Sequence, residues 1–212
     1  MPSPRPTADI RLTLILVFGT ITVLAITPFA YYRFSNQQFV AGLVDVLIQL
    51  CIGAVALYAW RGGNLDRAGW AVSIFNSIGC VLVGQLVGLP GALWLYPVLL
   101  SNFLLAPRRT AVVISLLAVG ALSFNDALGS LANALSFVLT AAMVSLFAYI
   151  FSNRADAQRQ LLEVLATRDP LTGAINRRGF EREIEPAMAA AIRDGTPLGL
   201  AVLDLDGFKQ VN

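Results

Sequence analysis

Leu198–Leu205 reads as a buried strand of apolar type that brings Asp204 to its tip, with Asp206 immediately after it. Gly207, Phe208, Lys209 and, three positions on, Asn212 complete the run. A carboxylate at a strand end is a hard oxygen ligand for a divalent cation, and the Leu205 carbonyl is a second oxygen of the same kind. The Gly207–Phe208 turn opens a helix, where free backbone N–H groups attract anions. Residues of these types in this order suit chemistry on a phosphorylated substrate. Taken alone, an Asp-x-Asp pair is more often a strand end with solvated acids, so the case rests on what precedes it.

What precedes it is Asp169-Pro-Leu-Thr-Gly-Ala-Ile-Asn176-Arg-Arg-Gly-Phe180. Pro170 and Gly173 break the helix before them, and Asn176 is a good N-cap for the next one. Arg177–Arg193 has a helical pattern that Pro186 should kink or divide. Asp194-Gly195-Thr196-Pro197 then stops it. Leu171 and Thr172 read as packing and turn residues, and Arg177 and Arg178 as ties between this turn and a core.

Asp-Pro-Leu-Thr-Gly-x-x-Asn-Arg-Arg-x-Phe, a helix, then Leu-Asp-Leu-Asp-x-Phe-Lys-x-x-Asn resembles the opening of GGDEF domains, the diguanylate cyclases that condense two GTP into cyclic di-GMP. The resemblance covers Arg168 to Asn212. It implies an α/β, cyclase or palm-like fold for this part, and magnesium held by Asp204 and the Leu205 carbonyl, with manganese as the alternative metal. Lys209 would counter phosphate or transition-state charge, Gly207 and Phe208 would meet phosphate through their backbone, and Asn212 would bond the guanine edge. Asp206 fits a helix cap better than a ligand. Gly207 departs from the bulkier residue common in the family. The Gly-Gly-Asp/Glu-Glu-Phe sequence itself does not occur in the chain, so the expectation is an incomplete and inactive piece of a cyclase that works as a homodimer.

The elements that must carry this segment are of another kind. The hydrophobic fraction is 57%, the charged fraction 13%, and the mean hydropathy +0.70, where soluble domains run near a quarter charged. Residues 12–151 hold eight charged side chains, and residues 152–212 hold seventeen. The boundary between two solvents therefore falls near Ser152. Met1–Arg11 resembles the basic start of a signal peptide, but the apolar run after it is long enough to span. No clear small-x-small cleavage site precedes Tyr31 and Tyr32, so the first helix is expected to stay as an anchor.

A helix needs about 20 apolar residues to cross a bilayer core. Leu12–Tyr32, Phe39–Trp60, Ala68–Val87 and Leu131–Phe151 qualify, and the shorter Gly91–Ala106 and Thr110–Phe124 bring the expected count to six spans in an all-α bundle. Six spans put Arg5, Arg11, Arg61, Arg67, Arg108, Arg109, Arg154 and Arg159 on one side and Arg33 on the other. That asymmetry predicts both ends in the cytoplasm, and the resemblance implies a bacterial inner membrane. Asp45 falls inside the second span, as a functional charge or as one hydrated near the interface. Asn76, Gln85 and Asn102 would bond between helices or line a pocket. Gly84 and Gly88 give a weak packing signal, and Trp94, Tyr96 and Pro97 suggest an interfacial belt.

The expected organisation is a membrane sensor over 1–151, a connector helix over 152–168 and the GGDEF start over 169–212. Ala157, Leu161 and Val164 at heptad spacing, with Leu165, suit a dimer seam along the connector. The partners expected are GTP, membrane lipid and a second copy of the chain. A net charge of +2 argues for no nucleic acid. With no histidine in the chain, histidine-based catalysis and most zinc sites are excluded. The alternative is a non-enzymatic membrane receptor or transporter with a degenerate nucleotide-binding tail.

Overall fold

The structure, a computed structural model, describes residues 10–124 and 126–203, without the side chain of Asp126. Two compact units divide the chain, Met1–Arg154 and Ala155–Asn212. In the first unit the helices are α1 (Ile10–Ser35), α2 (Phe39–Trp60), α3 (Leu65–Val87), α4 (Leu89–Ala92), α5 (Leu95–Leu105) and α6 (Arg108–Ser123). A 3-10 turn at Asp126–Leu128 leads into α7 (Leu131–Thr167), which carries the chain into the second unit, where α8 (Arg177–Asp194) follows.

Four helices, α1, α2, α3 and α7, are long and apolar enough to cross a membrane, which corrects the expectation of six. Gly91–Ala106 and Thr110–Phe124 are the two that fall short. The first yields α5, of 11 residues, with the four-residue α4 ahead of it, and the second yields α6, of 16 residues. At 1.5 Å per residue these rise only about 17 and 24 Å, against a hydrocarbon core of roughly 30 Å. Freedom from charge made them look like spans, but Gly88, at φ 80°, and Pro107 bound the segment that holds α4 and α5.

Both short helices lie against α3. A Cβ at Gly69 would sit 2.1 Å from the Leu105 carbonyl oxygen, so only glycine lets α5 end so close to the start of α3. Near the other end of α3, Gln85 Nε2 donates to the Ala121 carbonyl at 3.0 Å. The α5–α6 turn therefore returns to the end of the bundle that holds Gly69. There Ser152 Oγ donates to the Phe103 carbonyl at 2.8 Å, and the Arg108 guanidinium lies 5.8 Å from the Tyr149 ring centroid.

Leu95, Leu99, Leu122 and Phe137 are fully buried and form the largest core, and Ile15, Val55, Ala59 and Val72 form a second. Large apolar side chains such as Leu24, Leu116 and Phe147 remain mostly exposed. An apolar outside around a helical bundle suits hydrocarbon as solvent, because each helix satisfies its own backbone groups.

The second unit corrects the other part of the expected fold. Among the described residues there is no strand, so the start of an α/β domain is not seen; the nearest approach is an isolated antiparallel bridge between Arg168 and Ile175. Residues 198–203 of the expected strand Leu198–Leu205 have no regular structure, and residues 204 and 205 lie outside the described residues. Strand-type residues form a strand only when a neighbour takes their backbone hydrogen bonds. None of the described residues supplies one.

Candidate functional site

Polar groups gather in both units. In the second unit the loop between α7 and α8 is organised by Asp169. Its Oδ1 accepts from Leu171 N at 3.1 Å, Thr172 N at 2.8 Å and Thr172 Oγ1 at 2.9 Å. Gly173, at φ 71°, donates to the Asp169 carbonyl at 2.9 Å, and Arg168 Nη1 donates to the Gly173 carbonyl at 2.8 Å. The Thr172 N–H, then the Thr172 hydroxyl, and then the Leu171 N–H hold the Asp169 carboxyl below its ordinary range.

Asn176 joins this loop to both helices. Its Oδ1 caps α8 by accepting from Gly179 N at 2.9 Å, while its Nδ2 donates to the Ala166 carbonyl of α7 at 3.1 Å. The Asn176 N–H also donates to the Thr167 carbonyl at 2.9 Å. One side chain thus satisfies the end of one helix and the start of the next. Arg182 of α8 pairs with Glu163 of α7, whose hydrogen bond and charge raise the arginine pKa further.

Other residues of this loop do less than their types suggested. Leu171 is 91% exposed and packs on nothing that would bury it. Arg177 is exposed and pairs with Glu181, one turn on within α8, rather than tying the loop to a core. Helix α8 runs through Pro186 as a single element and ends at Gly195, in the left-handed region at φ 64°.

The residues expected to do chemistry, Asp204, Leu205, Gly207, Phe208, Lys209 and Asn212, lie outside the described residues. Among the described residues no cluster of His, Cys, Asp and Glu could hold a metal ion.

Residues 166–212 match the family described as "Diguanylate cyclase, GGDEF domain". This segment is similar to the GGDEF family. The chain is 44% identical over 62 residues to the diguanylate cyclase DgcP of Pseudomonas aeruginosa, an alignment covering 29% of this chain and 9% of that protein. It is 36% identical over 75 residues to the bifunctional diguanylate cyclase/cyclic di-GMP phosphodiesterase MucR of the same organism, covering 35% of this chain and 11% of the relative. An uncharacterized protein from the hutH 5′ region of Streptomyces griseus is 40% identical over 68 residues, covering 32% and 28%. The chain thus spans less than a third of the length of each of these relatives. No solved structure matches it. The Asp169–Asn176 loop described above lies within the GGDEF match, where it positions the start of α8.

Another polar place lies in the membrane-type unit, where sequence reasoning found Asp45 but missed its partner. Arg33 Nη1, near the end of α1, donates to Asp45 Oδ2 of α2 at 2.5 Å, and both side chains are 5% exposed. Asp45 is therefore neither hydrated at an interface nor a lone charge. The signal was present: Arg33 is the one arginine on the sparse side, twelve residues ahead of Asp45 across the Asn36–Gln38 turn.

The amides divide between the two expectations. Asn102 Nδ2 bonds Ser77 Oγ at 3.1 Å, joining α5 to α3, and Gln85 bonds α6. Asn76 instead lines a cavity of about 170 Å³ together with Arg33 and Asp45. Trp94 lines the same cavity and meets Phe29 edge to face at 5.1 Å between ring centroids, and Tyr96 packs against the buried Phe137. Both aromatics serve packing inside the bundle.

Proposed function

We propose that this chain is the membrane-anchored part and cyclase opening of a diguanylate cyclase of a bacterial inner membrane, with the GGDEF segment in the cytoplasm and the helical unit acting on it as a sensor. The GGDEF match over residues 166–212, joined through α7 to helices apolar enough to cross a membrane, carries this reading.

The substrate is GTP. In each half-reaction the 3′ hydroxyl of one GTP attacks the α-phosphorus of the other and diphosphate leaves, so two such steps close cyclic di-GMP. The Asp204 carboxylate and Leu205 carbonyl are both hard oxygen donors, a set that suits magnesium, or manganese in its place. The ion, when bound, supplies charge neutralisation on the phosphates. Backbone N–H groups of Gly207 and Phe208 hold phosphate oxygens. Lys209 stabilises the charge that develops during transfer, and Asn212 orients guanine by hydrogen bonding its edge. Two GTP require two such domains face to face, so the working form is a homodimer joined along the connector and the GGDEF domain. Lipid surrounds α1, α2, α3 and the first part of α7; nucleic acid has no role.

The deciding experiment is an assay of the full-length protein in membrane vesicles with GTP and magnesium, beside its Asp204→Ala variant. The intact protein should form cyclic di-GMP, and the variant should lose at least about a hundredfold in rate while inserting normally, since even the groups that merely support a metal ligand cost up to about that much. Undiminished turnover by Asp204→Ala would remove Asp204 from the metal site. No product from the intact, folded dimer would reject the cyclase reading.

A further inference from the structure

The cavity of about 170 Å³ is lined by α1, α2, α3 and the Trp94–Ser101 stretch. It therefore belongs wholly to the first unit and owes nothing to the GGDEF segment. Most of its wall is apolar, from Phe18, Ile26, Phe29, Val83 and Val98. Its polar lining includes the Arg33–Asp45 pair and Asn76. Asn76 is 7% exposed, and its Oδ1 is buried with no hydrogen-bond partner. A buried amide oxygen without a donor is a standing penalty that a native fold tolerates only where something else supplies the bond.

We propose that this cavity is a binding site for a small uncharged amphiphile, with an apolar body of about one aromatic ring and a single hydroxyl head. Size sets the first limit, since a dry apolar cavity of about 150 Å³ accommodates benzene. Charge sets the second. Arg33 and Asp45 already neutralise one another, so a charged ligand would enter an apolar chamber without a counter-ion. Hydrogen-bonding capacity sets the third. A hydroxyl both donates and accepts, so it can satisfy Asn76 Oδ1 and take a bond from the Arg33 guanidinium, which a hydrocarbon cannot do. A lipid acyl chain fits the apolar wall but leaves the amide oxygen unmet.

The test uses the full chain in phosphatidylcholine nanodiscs, titrated with 4-fluorophenol and with 4-fluorotoluene and followed by fluorine NMR against empty nanodiscs. The phenol should show a saturable component about tenfold tighter than the toluene, the worth of one net hydrogen bond. Asn76→Leu should erase that preference while leaving the toluene bound. Filling the chamber by Val98→Phe, or independently by Ala25→Phe, should remove the saturable component for both probes. Equal affinity for the two probes, or a phenol preference that survives Asn76→Leu, overturns the proposal. So does quenching of Trp94 by brominated acyl chains, in a Trp60→Phe, Trp70→Phe background, that 4-fluorophenol fails to relieve, because lipid then holds the site.

Discussion

Asp169 and Asp45 show two opposite uses of a carboxylate. Asp169 stands in water and gathers three donors, so its charged form is favoured in the folded loop. A carboxyl with a lowered folded pKa contributes stability above its unfolded value, and that contribution is lost as pH falls through the folded value. Protection of the Leu171 and Thr172 amides from hydrogen exchange should hold at neutral pH, begin to fade near the ordinary value of 3.8 and vanish below it. Protection unchanged well into acid would show that the loop does not depend on this charge. Asp45 is instead buried with Arg33, and taking away one partner strands the other. Asp45→Leu should therefore lower the stability of the bundle by about 3–5 kcal/mol, whereas Arg33→Leu with Asp45→Leu should restore most of it. Thermal unfolding of the three proteins in one detergent compares them, and a double variant no better than the single would mean that the pair does more than neutralise itself. Sequence reading located Asp45 but left its environment open between a functional charge and one hydrated near the interface, because the pairing is a long-range contact between two helices. Local pattern carries no such information.

At the scale of elements, capping and turn chemistry were legible and span count was not. Asn176 as the N-cap of α8 and Gly195 as its stop follow from residue type, because orphan N–H and C=O groups select for those residues wherever a helix begins or ends. Gly179 was silent in the sequence, although a Cβ there would lie 2.4 Å from the Thr167 carbonyl oxygen. Gly179→Ala should push α8 from α7 and destabilise the loop by about 1–3 kcal/mol, read as faster exchange at Asn176 and Phe180. Exchange as slow as in the parent would refute that close approach. Freedom from charge could not separate a spanning helix from the shorter α5 and α6, since both kinds are built mostly of apolar residues. The expected strand at Leu198–Leu205 failed for a related reason: strand propensity states a preference, and pairing decides the outcome. Leu161, Val164 and Leu165 lie on α7 and are roughly half exposed or more, which leaves an apolar stripe free to meet a second copy. Leu161→Glu with Leu165→Glu should therefore shift the full-length protein from dimer to monomer by mass photometry in nanodiscs and lower cyclase output with it. A dimer that persists would move the seam elsewhere.

For the molecule as a whole, the arginines of the helical unit gather toward one end, and that grouping predicts an orientation in a membrane. Arg61 and Arg67 lie at the junction of α2 with α3, and Arg108 and Arg109 at the turn that packs its Leu105 carbonyl against Gly69. Ser152, bonded to the Phe103 carbonyl, brings the membrane part of α7 to that same end, and Arg154 follows it. Arg33, the exception, is neutralised by Asp45 and exerts little pull of its own. This grouping at one end of the bundle does not depend on how many helices cross the bilayer. Positive charge near the ends of membrane helices favours the cytoplasmic side. A cysteine introduced at Ala155, in a Cys51→Ala, Cys80→Ala background, should resist a membrane-impermeant maleimide in intact cells and react once the inner membrane is opened. Reaction in intact cells would put the GGDEF segment outside, away from cytoplasmic GTP, and the sensor-to-cyclase arrangement would then have no substrate to act on.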